Sequence, residues 1–284
     1  MDILVSTQWL ADNLAADDLA ILDASKHLAE TDRDAHAEFE SAHIPGARFL
    51  NLDTLVDPAS DTPSAIPDAA QFQQRMQKLG VNDGDRIVFY DDSDIHPSAR
   101  AWFIARLHGV DQVAILDGGL AKWRAEDRPL EQGAKPLPQG DFQSRPGIGA
   151  IRSKAEMLAN LGQQDEQVLD ARSTARFAGE KPEARAGVEP GHIPGSRNLP
   201  HAQIFAPDNT FRDRADLLEA FRQAGIDMDQ PLVTTCGSGV TAAALLFAAE
   251  LVGKHDVALY DGSWSEWGAD PVTPKAKGTR REQV

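Results

Sequence analysis

The chain has 284 residues, enough for two domains of ordinary size, and with 42% apolar residues it can fill two cores. Its formal net charge of −16 argues against nucleic acid and anionic membrane surfaces, which need a positive footprint, so any anionic substrate must be caught by a local basic cluster. One cysteine allows no internal disulfide and no Cys/His zinc cluster, so neither secretion nor a metal is indicated.

The opening residues, Met1 to Ser6, carry an early acid and no basic run before an apolar stretch, so no signal peptide is expected. The longest apolar stretch, Thr241 to Val252, is too short for a bilayer and contains Glu250. The expectation is a soluble cytoplasmic protein.

Along the chain, a set of segments occurs twice in the same order. Leu22-Asp23-Ala24-Ser25 returns as Leu169-Asp170-Ala171-Arg172, and His43-Ile44-Pro45-Gly46-Ala47-Arg48 returns as His192-Ile193-Pro194-Gly195-Ser196-Arg197. Val113-Ala114-Ile115-Leu116-Asp117-Gly118-Gly119 returns as Val257-Ala258-Leu259-Tyr260-Asp261-Gly262-Ser263, followed by Trp123 and Trp267 respectively. One domain has been duplicated. The Pro/Gly-rich stretch around Lys135-Pro136-Leu137-Pro138-Gln139-Gly140 marks the break, giving domains at 1–134 and 150–284 with a linker at 135–149.

Each half alternates short apolar runs with longer amphipathic ones. In the second half the pattern predicts strands at 167–170, 232–235 and 257–260, and helices at 153–161, 215–224 and 241–251. Strands alternating with helices predict an α/β fold, a mainly parallel sheet flanked by helices in each half. In such sheets reactive groups lie beyond the carboxyl ends of the strands.

Cys236 falls at such an end. It precedes Gly237-Ser238-Gly239-Val240-Thr241 and an alanine-rich helical run. A helix start offers free N–H groups and a favourable dipole to an anion, and thiolates are favoured there. Gly237 and Gly239 let the loop turn its amides inward around the sulfur. Aligning Ile87-Val88-Phe89-Tyr90 with Leu232-Val233-Thr234-Thr235 puts Asp91 opposite Cys236. The first half therefore has a carboxylate where the second has a nucleophile, and is expected to be structural. His43 and His192 sit in matching motifs of both halves, so they read as structural, and Trp264 and Trp267 read as packing residues.

Together these residues resemble the rhodanese family in its two-domain form, with an inactive first half and an active second half. The loop Cys236 to Thr241 is similar to that of the 3-mercaptopyruvate branch; thiosulfate-preferring members carry basic residues where this chain has Gly237 and Ser238. The resemblance implies substrate-binding arginines at Arg176 and Arg185, with Gly237, Gly239, Val240 and Thr241 lining the anion site. It implies a Cys236 persulfide, pyruvate release, and transfer of sulfur to thioredoxin, a small thiol or cyanide, without a cofactor. Ser238 is the proton handler it implies, with Asp53 as an acidic partner; the histidine that completes this relay elsewhere has no counterpart in the short segment Asp61 to Pro67. His96, in the loop after Asp91, reads as a surface residue.

Three alternatives stand beside this reading. One is thiosulfate as donor, and another is a non-enzymatic persulfide carrier. The third is a phosphatase on the same fold, against which Ala242 stands where those enzymes place an arginine. A monomer is expected, since the second half's partner surface is supplied in cis.

Overall fold

The computed structural model describes residues 1–278. The chain divides into two compact units, unit 1 made of Met1–Ala59, Ile66–Gly149 and Phe205–Phe211, and unit 2 of Ser60–Ala65, Ala150–Ile204 and the chain from Arg212 onward.

In unit 1 the elements run β1 (Leu4–Val5), α1 (Thr7–Asn13), β2 (Leu19–Asp23), α2 (Ala35–Ser41), β3 (Arg48–Phe49), α3 (Ala69–Lys78), β4 (Arg86–Tyr90), α4 (Ser98–Leu107), β5 (Val113–Leu116) and α5 (Gly119–Ala125). In unit 2 they run β6 (Ala150–Arg152), α6 (Lys154–Gln163), β7 (Gln167–Asp170), α7 (Thr174–Phe177), β8 (Arg197–Asn198), a 3-10 turn (His201–Ile204), α8 (Arg214–Gln223), β9 (Leu232–Thr235), α9 (Val240–Leu251), β10 (Val257–Tyr260) and α10 (Ser263–Trp267). Each unit holds one five-stranded sheet, ordered β1-β5-β4-β2-β3 and β6-β10-β9-β7-β8, and every pairing is parallel.

The central strands are short and mostly apolar because both faces of a parallel sheet are covered. All five residues of β2 and all four of β9 are buried. The three strands expected in the second half are observed with the same bounds, and its three expected helices differ from the observed ones by at most two residues at either end. Caps account for the helix starts. Asp68 and Ser153 each form a reciprocal capping box, with Gln71 and Glu156. Helix α9 is apolar on nearly every side and Ala242 to Ala249 are buried, which is the signature of a helix enclosed by its own domain. Trp264 and Trp267 lie in the core of unit 2 with Met157, Val168, Ile193, Val233 and Tyr260.

The Pro/Gly-rich stretch after residue 134 belongs to unit 1 as an extended strap. Gly140, Phe142, Arg145 and Gly147 donate their N–H groups to the carbonyls of Gln77, Val81, His108 and Leu107. The segment 205–211, from the second half of the sequence, also belongs to unit 1. Phe211 donates its N–H to Asp117 (2.8 Å), Lys122 pairs with Asp208 (3.0 Å), and Phe205 stacks on His96 at 3.6 Å between ring centroids. His96 is thus mostly covered rather than a surface residue.

Both expected structural histidines behave alike. His43 and His192 donate from Nδ1 to the carbonyls of Phe39 (2.7 Å) and Phe177 (2.9 Å), and each stacks on that same phenylalanine. No helix among the described residues is long and apolar enough to cross a membrane.

Candidate active site

Strand β9 ends at Thr235 and delivers Cys236 beyond the carboxyl edge of the unit 2 sheet, 2% exposed. The chain then passes Gly237 and Ser238 and enters α9 through Gly239, whose φ of +78° is the left-handed conformation open to glycine. The first N–H groups of α9 have no intrahelical carbonyl to bond, so they are available to an anion at this end. Ser238 is half-buried, and its hydroxyl makes no hydrogen bond to a described residue. Val240 is buried and Thr241 half-buried on the first turn.

The loop is fixed from the side of α10. The Cys236 N–H donates to Ser263 Oγ (3.2 Å), and that hydroxyl donates to the Tyr260 carbonyl (2.9 Å). The Trp264 N–H donates to the Cys236 carbonyl and the Ser265 N–H to the Gly237 carbonyl, both at 2.9 Å; the Ser265 hydroxyl also reaches the Gly237 carbonyl.

Of the two expected arginines, Arg176 lies against this loop. A Cβ placed on Gly237 would sit 3.1 Å from Arg176 Nη2. Arg185 lies on the exposed loop between α7 and β8 and makes no ion pair with a described residue. Asp53 belongs to unit 1, where it is largely exposed, pairs with Lys26 Nζ at 2.6 Å and donates its backbone N–H to Asn51 Oδ1 at 2.9 Å, closing an Asx turn led by Asn51.

A network absent from the expectations holds Arg176. Arg172, whose side chain is 1% exposed, pairs with Asp170 at 2.6 Å and Glu183 at 2.9 Å, and its guanidinium lies 4.6 Å over the Trp264 ring. Glu183 also pairs with Arg176. The charges alternate Asp170, Arg172, Glu183, Arg176, so the buried part is neutralised. Burial works against the Arg172 charge, but Asp170 and Glu183 outweigh it and hold the guanidinium above its ordinary value.

Unit 1 repeats the frame with a carboxylate where unit 2 has the thiol. Ala24 N–H bonds the Tyr90 carbonyl as Ala171 N–H bonds that of Thr235, and Leu120 N–H bonds the Asp91 carbonyl as Trp264 N–H bonds that of Cys236. Asp91 therefore occupies the place of Cys236. Its carboxylate takes the N–H groups of Ser93 (3.2 Å) and Ser98 (3.0 Å), filling the anion position at the start of α4. Phe205 and Phe211 line what remains, a space of about 20 Å³, room for one water.

The chain belongs to the rhodanese family: the rhodanese-like domain matches residues 6–126 and again 153–270. The 3-mercaptopyruvate sulfurtransferase of Rattus norvegicus is 39% identical over 270 residues, covering 93% of this chain and 91% of its own. That of Escherichia coli (strain K12) is 37% identical over 274 residues, covering 95% and 97%. The thiosulfate sulfurtransferase of Gallus gallus is 35% identical, covering 93% and 92%. Among solved structures, SseA from Escherichia coli superposes with a TM-score of 0.84 at 35% identity, over 94% of this chain and 100% of that one.

Proposed function

We propose that this protein is a 3-mercaptopyruvate sulfurtransferase with Cys236 as nucleophile. The observation that carries the reading is the Arg176 guanidinium against Gly237, one residue from the cysteine, on a chain of −16 net charge. A planar guanidinium receives the carboxylate and ketone oxygens of an α-keto acid in bidentate fashion. Arg185, exposed on the loop that follows α7, is the second anion-binding group.

In the proposed reaction the Cys236 thiolate attacks the thiol sulfur of the substrate. The S–S bond forms as the C–S bond breaks, and the bonding pair leaves with the carbon fragment as the pyruvate enolate. The enolate takes a proton to become pyruvate, and the sulfur remains as a persulfide, so that one transfer becomes two steps. The outer sulfur, about 2 Å beyond Sγ, extends toward the start of α9, where the N–H groups of the loop and first turn favour negative charge. Ser238, with an uncommitted hydroxyl, is the proposed proton carrier. A thiol or cyanide then removes the outer sulfur. The reaction needs no metal or organic cofactor.

Thiosulfate is the second donor reading, favoured by the Gallus gallus relative; Arg176 would receive its sulfonate. The test compares kcat/KM for 3-mercaptopyruvate and thiosulfate with cyanide as common acceptor, following pyruvate. A large preference for mercaptopyruvate with stoichiometric pyruvate supports the proposal. A preference for thiosulfate overturns the donor, and turnover by Cys236→Ser overturns the nucleophile. Arg176→Gly and Arg185→Gly should lose mercaptopyruvate use more than thiosulfate use.

A further inference from the structure

The duplicated frame differs at two serines. Ser263 and Ser265 of unit 2 correspond to Gly119 and Ala121 of unit 1. Backbone geometry is conserved at the first of these, φ being +50° at Ser263 and +54° at Gly119. Such a φ suits glycine and strains any residue with a Cβ. Unit 1 has no room for one: a Cβ on Gly119 would meet the Asp91 carbonyl oxygen at 2.2 Å. Unit 2 instead holds a strained serine, 0% exposed, whose hydroxyl takes the Cys236 N–H and donates to the Tyr260 carbonyl. Strain of this kind persists where the surroundings over-determine it, and it concentrates at functional sites.

The hydrogen bonds decide where the loop amides point. Every peptide bond in the described chain is trans. In a trans peptide the C=O of one residue and the N–H of the next point in opposite directions. The Cys236 and Gly237 carbonyls both bond to α10. The N–H groups of Gly237 and Ser238 therefore point away from α10. Ser263 ties down the third group, the Cys236 N–H, so the peptide planes on both sides of Cys236 are fixed. Of these ties, the one from the residue 264 N–H has a counterpart in unit 1 at Leu120. The two that use serine hydroxyls require side chains that Gly119 and Ala121 lack.

We propose that Ser263 and Ser265 are positioning residues for sulfur transfer, acting through the Cys236 loop backbone rather than on the substrate. This rests on Cys236 being the nucleophile. Their contribution is preorganisation: the loop amides are already aimed when charge develops on the sulfur being transferred. Donor binding, which the arginines supply, is separate from it.

The test is single-turnover pyruvate release from 3-mercaptopyruvate without acceptor, in the full chain, for wild type, S263G, S263A, S265A and C236S, with Tm measured on each. S263G relieves the backbone strain but loses two buried hydrogen bonds, so its Tm should stay above that of S263A. Its saturating rate should fall roughly tenfold while the half-saturating donor concentration stays within about threefold. S263A keeps the strain and loses the hydroxyl, so its rate should fall as far as that of S263G, with a lower Tm. S265A retains the backbone tie to Gly237 and should lose less rate than S263G. A wild-type rate in S263G, or rate losses that track Tm across the variants, would make these serines structural and overturn the proposal. So would a change confined to the half-saturating concentration. Pyruvate release by C236S would overturn the nucleophile, and with it the positioning role.

Discussion

Gly237 and Arg176 are in contact: the glycine lacks a Cβ at a point where one would come 3.1 Å from the Arg176 Nη2 nitrogen. That separation is tighter than ordinary van der Waals packing, so a methyl group there must push the guanidinium aside. The glycine next to the cysteine thereby sets where the Arg176 guanidinium lies as well as how the loop turns. Gly237→Ala should raise KM for mercaptopyruvate several-fold, about 3- to 10-fold, since a displaced guanidinium no longer meets the carboxylate squarely. Steady-state kinetics and a melting curve check this. An unchanged KM would mean that Arg176 does not hold the donor.

Glu183 stands between two guanidiniums, buried Arg172 and half-exposed Arg176. Replacing it with glutamine keeps the shape and removes the charge that both depend on. Arg172 keeps Asp170 as its partner, so the change costs less than breaking a lone buried pair, about 1–2 kcal/mol. Glu183→Gln should lower Tm by roughly 2–6 °C and raise KM for the donor as Arg176 loses its anchor. A stable variant with normal KM would show that the network is dispensable.

The Cys236 loop and the central strands of unit 2 could be read from the sequence, because their signals are local. A buried parallel strand is a short apolar run, and glycines flank a loop that enters a helix. The Arg172–Glu183–Arg176 network could not, since partners seven to eleven positions apart on an irregular loop leave no periodicity. Ser263 was visible only as a mismatch with Gly119; its meaning depends on a hydrogen bond to Cys236, 27 positions away. The stretch after Gly133 reads as a linker because Pro and Gly exclude helix and strand. They do not exclude an extended strap whose N–H groups find carbonyls on the domain it crosses.

Asp91→Cys should not create a second sulfur site. The carboxylate of Asp91 holds the first turn of α4 by accepting from Ser98, and the space beside it takes one water. The variant should lose about 1–2 kcal/mol from that lost capping interaction. Treated with mercaptopyruvate, it should still carry one sulfane sulfur per chain, measured by cyanolysis. Two would mean that unit 1 lacks only the thiol.

Asp23 is the unit 1 counterpart of Asp170, with Ser25 where Asp170 has Arg172. Its carboxyl is buried and accepts the Ser25 N–H at 2.8 Å but has no guanidinium. Burial raises it from the ordinary 3.8 to about 6, with the Ser25 bonds opposing. The folded chain therefore binds this proton more tightly than the unfolded chain, and stability falls as pH rises from about 4 to 6. Above pH 6 the full penalty is present, up to about 3 kcal/mol from the gap between the two values. Asp23→Asn cannot ionise, so relative to wild type it should gain stability at pH 7–8 and gain none at pH 4. Denaturant unfolding of both proteins across pH 4 to 8 checks the sign. A difference that is constant with pH, or that grows toward acid, would mean that Asp23 is not the group held protonated.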